Sequence, residues 1–325
     1  MAVAVLKAIG ERFGKFNELG ILIALIVLCL VFGASNPSFW GVDNIMNIVR
    51  ASSYLVIIAV GQTMALILAD FDLSVGSQMG LGGIVCAAGM NMLGLPILVS
   101  ILLALGVGAL IGITNGILIV RAKIPAFIVT LGTMYLARGV ANVITQGRAV
   151  YPLTPGFEFL GNYQLFDIVP LSVIIMAVIL IVVTFVLKRT VFGRYMFAIG
   201  GNVETARLSG INIGLVKLIV FMCAGIFAAL SGIIVTSRMG TGQTNLGMGY
   251  ELQSVAASLI GGTSTAGGKG SMVGTLIGTL IMNVLTNGMV LMRVNVYFQN
   301  IVLGVILIGT VGFDLYNRRK TGDVV

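Results

Sequence analysis

Residues 73–120 read LSVGSQMGLGGIVCAAGMNMLGLPILVSILLALGVGALIGITNGILIV, 48 residues without an Asp, Glu, Lys or Arg, closed off by Asp72 and Arg121. Drawn out as one helix at about 1.5 Å per residue they would run about 72 Å, more than twice the ~30 Å hydrocarbon core of a bilayer. The stretch therefore holds two spans. Gly94-Leu95-Pro96 marks the turn between them, since Gly and Pro punctuate helices and Pro96 suits the first turn of the second. Working outward, the charge-free runs 19–42, 51–69, 168–187, 218–237, 270–292 and 294–313 are each long enough to cross once. A charged side chain at a helix centre costs about 2.5–3.5 kcal/mol on insertion scales, which makes such runs a good ruler. Residues 124–137 are short unless Arg138 lies inside the membrane region, and 252–268 are short and end in Gly and Ser, so either could be a re-entrant or broken helix. The expected fold is an all-α polytopic membrane protein of about ten helices.

Composition supports this. Of 325 residues 58% are apolar and only 9% charged, against about 25% charged in soluble domains, too few to solvate a water-facing surface. The absence of His removes the commonest general base and metal ligand. Cys29, Cys86 and Cys223 stand far apart in apolar runs and suggest neither a disulfide framework nor a zinc site. No catalytic residue and no metal site are expected. The net charge of +8 does not signify nucleic acid, because the cations are not grouped with aromatic residues on a polar face.

The cations instead report orientation. With ten spans and the N-terminus inside, Lys7, Arg12, Lys15, Arg121, Lys123, Lys188, Arg189, Arg194, Arg207, Lys217, Lys269, Arg318, Arg319 and Lys320 are cytoplasmic, 14 of 19. Arg50, Arg138, Arg148, Arg238 and Arg293 fall outside or within the membrane. Both termini are then cytoplasmic. The whole chain, 1–325, reads as one membrane domain with an N-terminal cytoplasmic segment 1–18, a cytoplasmic loop 188–217 and a cytoplasmic tail 316–325. A cleaved leader is the alternative for the N-terminus, but its apolar run is long enough to stay as an anchor.

Within the loop, Gly200-Gly201 can turn the backbone, Asn202 can cap a following helix, Glu204 suits its first turn, and Gly210 can stop it. The product is a short helix on the cytoplasmic surface. Asp70 and Asp72 fall between two spans, where Asp72 either caps the helix after it or, with Ser74, faces a path for a hydroxylated solute. Gln62, Asn115, Thr130, Asn283 and Asn287 are intramembrane polar residues, divided between interhelical glue and path lining. Glu251 opens a span near the outer face, where a carboxylate suits a helix N-terminus. Residues 262–271 are Gly-rich and contain Lys269, yet they lack the G-x-x-x-x-G-K-[ST] spacing of a phosphate loop. Glycines or alanines every fourth residue at 76–80, 104–116 and 270–278 make faces for close helix approach. Thr114-Asn115-Gly116 with Arg121 echoes Thr286-Asn287-Gly288 with Arg293, as an internal duplication would.

The stretch Gly193-Arg194-x-x-x-Ala198-x-Gly200-Gly201-Asn202-x-x-x-Ala206-Arg207-Leu208-Ser209-Gly210-Ile211 resembles the coupling loop of permeases from the ribose, xylose and arabinose branch of bacterial ABC importers. Asp72-Leu73-Ser74-Val75-Gly76-Ser77, Thr130-Leu131-Gly132-Thr133-Met134 with Arg138-Gly139, and Tyr250-Glu251-Leu252 followed by 261–270 agree with the same family, in order, between about residues 36 and 299. Asp70 departs from it, since a small residue usually stands there. The resemblance implies a monosaccharide permease of the bacterial inner membrane, working with a second permease subunit, most simply another copy, a cytoplasmic ATPase with fused nucleotide-binding domains, and a periplasmic or surface sugar-binding protein. ATP and Mg would sit on the ATPase, with no cofactor on this chain. Gly193, Arg194, Gly200, Gly201, Asn202, Glu204, Ala206 and Arg207 would couple the two proteins. Arg148 and Arg238 would meet the binding protein. The rival reading is an ion-coupled secondary transporter or channel, for which Asp72 and Glu251 are the available carboxylates.

Overall fold

The computed structural model describes residues 17–321. Lys7, Arg12 and Lys15, nearly all of the expected segment 1–18, and the end of the expected tail lie outside the described residues. The helices are α1 (Asn17–Ser35), α2 (Val42–Ile67), α3 (Val75–Asn91), α4 (Ile97–Val120), α5 (Ala126–Thr145), α6 (Phe159–Asn162), α7 (Leu171–Arg189), α8 (Val191–Gly201), α9 (Val203–Leu208), α10 (Ile213–Met239), α11 (Tyr250–Ile260), α12 (Met272–Leu291) and α13 (Val296–Thr321), with a 3-10 turn at Pro37–Trp40. A two-residue hairpin, β1 (Gln164–Leu165) against β2 (Val169–Pro170), precedes α7.

Among the described residues seven helices are long and apolar enough to cross a membrane: α2, α4, α5, α7, α10, α12 and most of α13. Helices also occupy the other three expected spans, but α3 and α11 are shorter, and the apolar stretch of α1 is Leu19–Ser35. Several boundaries differ from those expected. α1 stops at Ser35 rather than 42 because Asn36 caps the 3-10 turn, its Oδ1 accepting from Ser38 N at 3.0 Å, with Pro37 next. α2 begins at Val42, not 51: Arg50 lies inside the helix and borders a polar cleft with Asp43, Asn47, Gln164 and Asp167, so its charge does not end the span. Pro96 precedes the first residue of α4 instead of sitting within its first turn. α5 runs on past Arg138 to Thr145. Helix α13 carries residues 316–321 of the expected tail.

α10 is the centre of the bundle, packed on α2, α3 and α4. It can come this close because glycines face each other: a Cβ on Gly108 or Gly225 would collide with the other's carbonyl, and one on Gly112 with that of Phe221. The stripe at 270–278 works likewise, Gly274 meeting Gly261 and Gly278 meeting the carbonyl of Ala257. Large apolar side chains on α4, α5, α7 and α13, such as Leu102, Val143, Ile181 and Ile308, are left exposed, as lipid contact requires.

Two interruptions set the site. α2 ends beside the start of α10, where Asp70 and Lys217 pair at 2.7 Å. Ala69 takes a positive φ of 60° and residues 68–74 turn back into the protein. α3 then starts partway across: the Gln78 side chain lies at Gly225, twelve residues, or about 18 Å, from the first residue of α10. At the opposite end Gly240 has a φ of 63° and residues 240–249 turn inward from the end of α10. Leu246 and Tyr250 pack there with Val75, Met79 and Ala228, so α11 also starts in the interior. The expected span 252–268 is thus a helix of 11 residues followed by coil. Long helix, break, short helix and two long helices recur as α2–α5 and α10–α13, and α2 lies antiparallel to α10. The echo between 114–121 on α4 and 286–293 on α12 falls at matching places in this recurring order.

Candidate functional site

Bringing α3 into the interior delivers Asp72 and Ser74 with it. Ser74 Oγ donates to Asp72 Oδ1 at 2.5 Å, and Ser74 N donates to the same oxygen at 2.9 Å. Gln78 Nε2 and Asn115 Nδ2 donate to Ser74 Oγ at 2.7 and 3.1 Å, and Thr133 Oγ1 donates to Asn115 Oδ1 at 2.6 Å. This chain of side chains crosses α3, α4 and α5 and uses the full capacity of the serine hydroxyl, one donor and two acceptor sites. Asp72 therefore closes a turn before α3 and does not cap a helical N–H. Thr130 Oγ1 donates to Phe71 O at 3.2 Å and to Ala126 O at 2.9 Å, fastening the inbound segment to α5.

The second interruption meets the first at Gly76. A Cβ there would strike the Glu251 carboxylate and the carbonyl of Gly247, so only glycine lets the two breaks touch. Glu251 consequently lies in the interior against α3, not at the outer face where the sequence suggested. Its Oε1 accepts from Gly249 N at 3.2 Å. Arg138, on the stretch of α5 that the charge-free ruler cut short, donates to the carbonyls of Thr244 and Leu246, the latter at 2.8 Å, and lies within electrostatic reach of Glu251. Three buried acceptors in this seam, Asp72 Oδ2, Gln78 Oε1 and Glu251 Oε2, have no donor among the described residues. In a protein interior such a surplus suits a partner rich in hydroxyl donors. Gln78, Thr133 and Arg138 are the members that sequence reasoning did not select. Thr133 and Arg138 stood in a quoted motif, whereas Gln78 follows Ser74 by one helical turn and is visible only once α3 is known to start at Val75.

The remaining candidates are elsewhere. Asp70 is held by Lys217 near the end of α2. Asn287 and Asn44 exchange hydrogen bonds of 2.8 and 3.1 Å and tie α12 to α2. Asn283 donates to Thr279 O in its own helix at 3.0 Å. Gln62 is fully buried in α2 without a protein hydrogen bond. Arg148 is exposed after α5. The Arg238 guanidinium stacks 6.0 Å over the Tyr54 ring and lies 3.4 Å from both Tyr54 Oη and Asn47 Oδ1. Among the described residues no three Cys, Asp or Glu side chains gather as a metal centre would require.

At the end of the bundle that gathers Arg121, Lys188, Arg189 and Lys217, the loop after α7 folds into α8 and α9. Gly193 allows the tight corner after α7, where a Cβ would meet the carbonyls of Val186 and Leu187. Gly200 and Gly201 close α8 rather than turn the chain. Gly200 has to be glycine because the carbonyl of Ile67 and the amide of Gly268 press on it, and Gly268 N bonds Ile67 O at 2.9 Å. Asn202 caps α9, Oδ1 accepting from Thr205 N at 2.9 Å, and Glu204 pairs with Arg207 on the surface at 3.3 Å. Ala206 is buried against the bundle, Arg194 is exposed, and Leu208 is 88% exposed, an apolar knob on a polar face. The end of α8 thus rests on the point where α2 ends and the coil after α11 returns, and α9 follows it directly.

Residues 44–311 match the family model described as branched-chain amino acid transport system / permease component. The chain belongs to this permease family. Among its relatives, the ribose import permease protein RbsC of Haemophilus influenzae is 42% identical, the match covering 95% of this chain and 97% of the relative. RbsC of Escherichia coli K12 is 41% identical, covering 92% and 93%. The galactose/methyl galactoside import permease protein MglC of the same strain is 34% identical, covering 94% and 96%. No solved structure matches the chain. The permease is a transport component, not an enzyme, and a multi-pass protein of the inner membrane.

Proposed function

We propose that this permease is the membrane-spanning subunit of an ATP-driven importer that passes a monosaccharide, a pentose, hexose or related polyol, into the cytoplasm. The observation that carries the reading is the seam itself: two broken helices meet in the interior around buried acceptors without donors, in a chain similar along its length to named sugar permeases. A hydroxylated solute supplies donors, and the helix beginnings supply N–H groups for its oxygens.

In this reading the end bearing Lys188, Arg189 and Lys217 is cytoplasmic, about ten helices cross or enter the bilayer as a single membrane domain, and both termini are cytoplasmic. α9, with Glu204, Arg207 and Leu208, enters a cytoplasmic ATPase with fused nucleotide-binding domains, which holds ATP and Mg. A second permease copy completes the path. A periplasmic or surface sugar-binding protein docks at the opposite end, where Arg148 and Arg238 lie. ATPase closure pushes α8 and α9 against the end of α2 and the coil 261–271, and so reaches both interruptions. Partners that bind one arrangement better than the other supply the bias.

The test is uptake of labelled ribose into liposomes holding the permease, with and without the ATPase that copurifies from the native membrane and its binding protein. Uptake that needs ATP and all three components is expected. Gradient-driven uptake by the permease alone would replace this reading with ion coupling.

A further inference from the structure

Outside the seam, a groove of about 530 Å³ runs between α7 and α12. We propose that it holds an acyl chain of one anionic phospholipid of the inner leaflet, with the phosphate held by Lys188 and Arg189. Its walls are apolar from Met176 through Ala177, Leu180, Ile181 and Phe185 to Met272, Val273 and Leu276, and it ends at those two cations. Thr184, one turn before Lys188, adds a hydroxyl at the depth of the lipid esters.

Length, volume and charge all fit that occupant. Met176 and Lys188 are twelve residues apart, about 18 Å along α7, close to half of the ~30 Å hydrocarbon core and so to one leaflet. A volume of about 530 Å³ along that length leaves room for a hydrocarbon chain. Lys188 and Arg189 are exposed and pair with no carboxylate among the described residues, so two adjacent cations stand free at headgroup level. The groove touches none of the seam residues, and only its assignment to the inner leaflet rests on the proposed reading, through the cytoplasmic placement of Lys188 and Arg189. It does touch the first turn of α12 and the end of α7, which leads into α8, so a bound lipid would brace the corner from which the cytoplasmic helices project.

The experiment is native mass spectrometry of the intact permease released from mild detergent after exposure to equal amounts of phosphatidylglycerol and phosphatidylcholine with matched chains. One tightly held phosphatidylglycerol is expected, preferred on the order of tenfold through two cations. Lys188→Gln with Arg189→Gln should abolish the preference. Ala177→Phe, which fills the groove and leaves the charges, should abolish retention, while an unchanged thermal midpoint shows that each variant is folded. Equal retention of the two lipids, retention unaffected by either variant, or complete displacement by soluble glycerol phosphate would each overturn the proposal.

Discussion

At the scale of single residues, Asp72 and Ser74 are one unit. Asp72→Ala leaves the Ser74 hydroxyl and amide buried without their acceptor, a loss of about 1–3 kcal/mol. We expect labelled sugar uptake to fall at least tenfold while the ATPase still copurifies. Loss of the folded protein instead would assign Asp72 to structure alone. Arg138 and Glu251 are argued the same way. Arg138→Met and Glu251→Gln should each reduce uptake, and the double variant should lose less than the two effects combined, because both act on the same inward loop. A strictly additive cycle would separate them. Of these residues, Asp72, Ser74, Asn115, Thr130 and Glu251 were legible as polar side chains in apolar sequence. Arg138 was not selected, since a rule that ends spans at charges cannot see a charge satisfied by carbonyls of a returning loop. Asn287 looked the same as Asn115 in sequence, and only packing distinguishes an asparagine tied to Asn44 from one in the seam.

At the scale of elements, the cap at Asn202 and the short helix after it were legible because local hydrogen bonding decides them. What Gly200 does was not, because its reason is a carbonyl of α2 more than a hundred residues away in sequence. Long-range contact also explains the two breaks. Nothing local near 68–74 or 240–249 says that the chain turns inward, only that it leaves the helix. Leu208 stood in the quoted coupling motif but was not among the residues selected from it. Its exposure gives a direct prediction: Leu208→Glu should leave the permease inserted and thermally unchanged, since the side chain touches little of its own fold, yet reduce ATPase recovery in a pull-down by tenfold or more. Full recovery would remove α9 as the docking element.

For the whole molecule, the inverted order of α2–α5 and α10–α13 predicts that the two breaks open to opposite sides in turn. With Cys29 and Cys223 changed to Ser, cysteines placed at Ser74 and at Gly249 should react with an impermeant thiol reagent from opposite faces, and trapping the ATPase in its closed state should exchange which one reacts. Labelling of both from one side in all states would exclude alternation. Among the described residues the charge-free runs located helices, seven of them long and apolar enough to cross, whereas the depth at which α3 and α11 begin was not readable, because depth is a property of packing on α10. The breaks also bear on selectivity. Each aims the start of a helix inward, so main-chain N–H groups add to the few polar side chains of the seam, Asp72, Gln78 and Glu251, in an otherwise apolar passage. In the proposed reading so few groups admit solutes by size and hydrogen-bonding capacity, and the component that hands the solute over does most of the sorting. Exchanging that component, with this chain unaltered, should be enough to change which sugar crosses.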